Sequence, residues 1–136
     1  MRKPDPKRTP DETPLIELAD ARPPEFSDDA LAQKFAQLYQ DELRYVAPWS
    51  KWMIWEKTRW KLDNTIAAFD LVRPVCRTAA ADAKTSNSRP TLATALTSAK
   101  TVAAVEKLAK ADRRLAATTE QWDDDPDSFT TTWGKP

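Results

Sequence analysis

The sequence of 136 residues contains no histidine, one glycine and one cysteine. Without histidine the chain lacks the commonest general base and metal ligand, and no Ser/His or Cys/His catalytic pair can be assembled from it. A lone glycine, Gly134, excludes glycine-rich phosphate-binding loops of both the P-loop and the dinucleotide type. Cys76 has no second cysteine to pair with, which excludes an internal disulfide and fits a reducing, cytoplasmic setting. No run nears the roughly 18 apolar residues of a membrane-spanning helix, and the basic, proline-rich start lacks the apolar stretch of a signal peptide. These absences exclude most enzyme classes. The expectation is a protein that is not an enzyme, takes no cofactor or metal and does not enter a membrane.

What remains is enough for one modest domain: 40% of the residues are hydrophobic and 31% charged. The formal net charge of zero hides a segregation of signs. From Leu43 to Arg114 there are 14 Lys/Arg against 6 Asp/Glu, whereas the flanks hold 7 basic and 15 acidic residues. A basic middle is the electrostatic footprint of nucleic-acid contact, although solvated helix faces produce the same count.

Six of the eleven prolines fall within residues 1 to about 25, which read as a disordered leader with one apolar island, Leu15, Ile16 and Leu18. That island can dock on the domain's own core or on a partner. Ser27 is a good N-cap, and Leu31, Phe35, Leu38 and Tyr39 form the stripe of an amphipathic helix ending near Asp41. Aromatic and β-branched residues then predict strands over Leu43–Ala47, Lys51–Trp55 and Thr58–Leu62, the last two joined by Glu56-Lys57. In that register Trp55 faces Thr58 and Met53 faces Trp60. Met53, Trp55, Trp60 and Leu62 then share one face, and Trp52, Ile54, Arg59 and Lys61 the other.

A helix capped by Asn64 or Thr65 follows, with Ile66, Phe69, Val72 or Arg73, and Cys76 on its stripe and Pro74 expected to kink or shorten it. Lys84–Arg89 read as a polar loop, and Pro90 opens a short helix through Leu96. A longer helix is predicted over Ser98–Ala117, with Val102, Val105, Leu108, Ala109 and Leu115 facing inward. The whole predicts an α+β domain over residues 26–122: an N-terminal helix, a small antiparallel β-meander, then a three- to four-helix C-terminal part. An acidic, threonine-rich tail over 123–136 completes the chain.

Six tryptophans are many for this length, and four crowd between Trp49 and Trp60. Met53, Trp55 and Trp60 suit the sealing of a small sheet against helices. Trp52, beside Arg59 and Lys61, can serve as a stacking platform for bases, or the cations can simply cover a half-exposed ring. On the long helix, Lys100, Lys107, Lys110 and Arg114 form a broad basic face able to neutralise phosphates. An ordinary surface with local pairs such as Glu106 and Lys110 accounts for the same pattern. The acidic run Asp123–Asp127 lacks the alternating ligands and central glycine of a calcium loop. Cys76, on an inward stripe, reads as a small buried hydrophobe.

The segment Trp49-Ser50-Lys51-Trp52-Met53-Ile54-Trp55-Glu56-Lys57-Thr58-Arg59-Trp60 resembles the start of the N-terminal domain of phage- and plasmid-type primase–helicases. In those replication proteins a poxvirus-like module precedes a superfamily-three helicase. The resemblance continues through Thr65–Arg77 and is strongest over Ser98–Pro126, covering about Ser27 to Pro126 in all. Three departures stand out. Glu56-Lys57 replaces the family's usual Asp-Gly, Pro74 interrupts a regular helix, and beyond Pro126 the sequence leaves the family's path into the ATPase. The resemblance implies a non-catalytic accessory module that helps a helicase assemble or handles DNA. Together with the aromatic and basic faces, it gives the expectation of weak contact with single-stranded or forked DNA through Trp52, Arg59, Lys61, Lys100, Lys107, Lys110 and Arg114. The alternative is a small mobile-element protein that binds and inhibits a host nucleic-acid enzyme, such as a CRISPR effector. Self-association is compatible with either.

Overall fold

A computed structural model describes residues 21–87 and 90–121. The chain runs α1 (Asp28–Tyr39), β1 (Leu43–Val46), β2 (Lys51–Glu56), β3 (Arg59–Leu62), α2 (Ala67–Asn87), α3 (Pro90–Leu96), α4 (Ala99–Ala109) and β4 (Ala116–Ala117), with 3-10 turns at Ala47–Trp49 and Thr119–Gln121. This is the expected α+β order. The four strands lie in the order β3-β2-β1-β4. The antiparallel meander of the first three gains a short fourth strand parallel to β1. The leader's apolar island and the Asp123–Asp127 run lie outside the described residues. Among the described residues no helix is long and apolar enough to cross a membrane.

Local chemistry sets the element boundaries. Ser27 Oγ accepts from the Ala30 N–H at 3.1 Å, so α1 starts where its cap stands. Leu31, Ala32, Phe35 and Ala36 are its buried stripe, whereas Leu38 turns out to be 57% exposed, on the flank of that stripe. The cap of α2 is Asp63 rather than Asn64 or Thr65. Its Oδ1 accepts from the N–H of Thr65 and Ala67, and its Oδ2 from Ala68. A carboxylate satisfies several of the orphan donors at once and also suits the positive end of the helix dipole. This leaves Ile66 outside the helix with φ 52°, exposed instead of on the inward stripe.

Pro74 sits inside α2 without ending it. It and Asp70, whose carbonyl loses the missing bond, are both exposed, on the side of the helix away from the buried Val72, Val75, Cys76 and Ala79. Water can solvate that carbonyl, so the helix continues to Asn87, through most of the segment expected to be a loop. The long C-terminal helix is shorter than its pattern predicts. It stops at Ala109, and Asp112 then folds the chain into a turn, its Oδ1 accepting from the Arg114 N–H at 2.9 Å. The Tyr45 N–H donates to Leu115 O at 2.7 Å, and Ala116 and Ala117 pair with Tyr45 and Val46. A free edge of β1 captures residues whose own periodicity favours helix. Leu115 remains fully buried, but Leu108 is 44% exposed rather than inward.

The hairpin register is shifted by two from the expected one. Trp55 lies opposite Trp60 and Met53 opposite Leu62, so the turn is Lys57-Thr58. An even shift keeps every residue on its own face, and Met53, Trp55, Trp60 and Leu62 do share one. The orientation of the sheet is the reverse of that expected. Leu43, Tyr45, Trp52 and Ile54 belong to the main core with α1, α2 and α4, while Val46, Met53 and Trp60 form a second buried cluster with Ala117 on the other face.

Candidate nucleic-acid interface

Trp52 is 6% exposed and sits at the centre of the helix-facing side of the sheet. Phe35 meets it edge-on with ring centroids 6.4 Å apart, and Tyr45 does so at 5.1 Å. Its Nε1–H donates to Glu106 Oε2 on α4 at 3.1 Å. The ring therefore has no free face on which a base can stack, nor is it a half-exposed ring under cations. It joins sheet to helices, and the polar edge of the indole finds a carboxylate instead of water.

That contact also determines what Lys110 does. Its Nζ lies 3.5 Å from Glu106 Oε1 and 5.1 Å from the centre of the Tyr45 ring. Held by a carboxylate and an aromatic face, Lys110 closes the seam between α4 and β1. Arg114 is likewise engaged. It pairs with Asp112 through Nε and Nη2 at 2.9 and 2.8 Å, and Nη2 also reaches Gln33 O on α1 at 3.3 Å. The bidentate guanidinium holds the Asp112 carboxyl below the usual carboxylate range, against a partial burial that pulls it the other way.

Like Arg114, the remaining four expected contacts are on the surface. Arg59 and Lys61 are exposed on β3, the outer strand, and point to the same side of the sheet as Trp52 and Ile54. Lys61 has one loose partner, Glu56 Oε2 at 3.9 Å, between side chains half-open to solvent. Such a pair contributes little and rearranges easily. Lys100 and Lys107 are exposed on α4, two helical turns apart and thus about 10 Å along one line. That line borders the Glu106 and Lys110 row that meets the sheet. Of the seven expected residues, Trp52 and Lys110 therefore build the seam between sheet and helix, Arg114 is exposed but held by Asp112 and Gln33 O, and the other four cations are exposed beyond it.

A second basic line escaped the sequence reading. Arg73, Arg77 and Lys84 are all exposed on α2, at spacings of four and seven residues that keep them on one stripe. The signal was available in the period of the charges, but Pro74 and the expected loop at Lys84 divided the segment. Lys57 adds a further exposed cation at the hairpin tip. Among the described residues no group of three or more His, Cys, Asp or Glu is placed to hold a metal ion. Burial pushes the Cys76 thiol up, with the Asp28 charge adding to the effect, so the group stays protonated and unreactive.

Comparison with curated proteins and with solved structures returns no match. A family model, described as D5 N terminal like, matches residues 32–132, which include every strand, all four helices except the first residues of α1, and each of the four exposed cations. The chain belongs to the D5 N-terminal-like family, the N-terminal domain of primase–helicase-type replication proteins.

Proposed function

We propose that this domain is a non-catalytic accessory module of a phage or plasmid replication protein. It holds single-stranded or forked DNA weakly through phosphate contacts and so assists a helicase motor. The observation that carries this reading is the exposure of Arg59, Lys61, Lys100 and Lys107 on one outer strand and one helix line, none of them locked into the core. With Trp52 buried, affinity comes from charge rather than from that ring, so the module has little sequence preference. Net positive charge concentrated between Leu43 and Arg114 supports the same reading.

The test is fluorescence anisotropy with labelled single-stranded and forked oligonucleotides across a salt series. Binding that weakens steeply with salt, and that is lost when all four cations are changed to glutamate, is the expected result. Binding insensitive to salt, or none at micromolar protein, removes the reading. A second reading, a protein-binding inhibitor of a host nucleic-acid enzyme, is favoured by one observation: Leu38 and Leu108 leave apolar surface open on α1 and α4, two helices that pack together. Under it, DNA affinity is absent, and Leu38→Asp with Leu108→Asp abolishes capture of the target enzyme.

A further inference from the structure

The amino end of α2 and the α3–α4 turn enclose a groove of about 670 Å³, with Phe69 and Val102 among its apolar lining and Thr97 at its far wall. On its rim stands Ile66, at 74% the most exposed large hydrophobic side chain among the described residues. Its backbone is left-handed, φ 52°, a conformation in which a β-branched side chain is crowded against its own carbonyl. The Asp63 cap and the Asp70 N–H, which donates to Ile66 O at 3.2 Å, hold it there. An apolar side chain is thus fixed outward into water in an unfavourable backbone state, beside a hollow suited to an apolar side chain. Also lining the groove are Asp70 and Arg73, 3.0 Å apart and each more than half exposed.

The patch therefore carries a knob and a hollow, an anion and a cation, where the start of α2 meets the α3–α4 turn. An isologous contact apposes the same patch of two copies across a two-fold axis, and a patch that holds both members of each complementary set has what such a contact requires. We propose that this face joins two copies of the chain, Ile66 of each seated in the groove of the other and Asp70 of each opposite Arg73 of the other. The two charges then pair between copies as well as within one. A partner of a single charge sign would use only half of the patch, and a nucleic acid would be repelled by Asp70.

Sedimentation velocity on the full chain, from low micromolar to several hundred micromolar, tests this without any DNA, so its outcome is independent of the nucleic-acid reading. The wild type is expected to move from monomer to dimer. Ile66→Asp, an exposed substitution, is expected to weaken association at least tenfold. Arg73→Asp places two like charges on each face, as does Asp70→Arg with the opposite sign, so each variant alone is expected to stay monomeric. An equimolar mixture of the two restores opposite charges across the axis and is expected to return a dimer containing one of each. Circular dichroism of every variant establishes that it is folded. A wild type monomeric throughout, a dimer unaffected by these changes, or a mixture that stays monomeric overturns the proposal.

Discussion

Trp52 shows how one residue acquires a role that its sequence neighbours do not announce. Preceded by Lys51 and on the same sheet face as Arg59 and Lys61, it carries the composition of a base-stacking ring, yet its indole N–H is aimed at a carboxylate 54 positions away. Trp52→Ala is expected to cost about 3–5 kcal/mol in urea unfolding, because a large cavity opens between sheet and helices. Trp52→Phe should cost about 1–3 kcal/mol, since Glu106 loses one donor but keeps Lys110. Equal losses in the two variants would show that the cavity adds nothing to the lost contact, and a Trp52→Phe variant as stable as the wild type would show that the Glu106 contact contributes nothing. Asp112 gives a pH signature at the same scale. Its carboxyl titrates lower in the folded chain than the roughly 3.9 of an unfolded one. Stability from this group is therefore present above about pH 4 and is lost as pH falls through the folded value. Thermal melts from pH 6 to 2 should show the wild type converging on Asp112→Asn as acid is added. Cys76, fully buried with its thiol pushed up, should react with a thiol reagent only after denaturation; labelling at native rates of an exposed thiol would contradict the packing.

Among the elements, the β2–β3 hairpin was legible in type and in faces but not in register. Alternation specifies which residues share a side, and a slip of two preserves that information completely. The register is decided at the turn, where Lys57 takes φ 59° and the Thr58 N–H donates to Glu56 O. Lysine there bears the steric cost that glycine would not. Lys57→Gly is expected to stabilise the domain by up to about 1 kcal/mol, read as a raised denaturation midpoint with an unchanged slope. The same logic explains α4. Nothing between Ala109 and Ala117 breaks a helical pattern, but the open edge of β1 offers hydrogen bonds that the local sequence cannot display, and Asp112 provides the turn. Leu115→Ala should cost about 2–5 kcal/mol, as expected for a fully buried side chain at the point where β4 is drawn to the sheet.

At the scale of the whole molecule, the sheet is apolar on both faces, with Trp52 toward the helices and Val46, Met53 and Trp60 in a cluster of their own. That layering sorts the cations: Lys110 is drawn into the seam, Arg114 is held at the surface by Asp112 and Gln33 O, and those beyond them stay open to solvent. If Arg59, Lys61, Lys100 and Lys107 each neutralise a phosphate of a single strand, the slope of log affinity against log salt approaches about −3. Each cation changed to alanine should flatten it by about 0.7, whereas Lys110→Ala and Arg114→Ala should lower stability and leave the slope nearly unchanged. A slope that falls equally for all six would place Lys110 and Arg114 on the DNA as well.

The order of residues along the chain was sufficient for the helices near Ser27 and Pro90, the first three strands, the shared faces of the hairpin, the burial of Cys76 and the family, because each is set by period, capping or local composition. Which face of the sheet meets the helices depends on what lies across the gap, and both faces are apolar enough to qualify. Only the packed structure, by bringing Glu106 to Trp52 and Leu115 to Tyr45, decided that choice and with it which basic residues remain available to a partner.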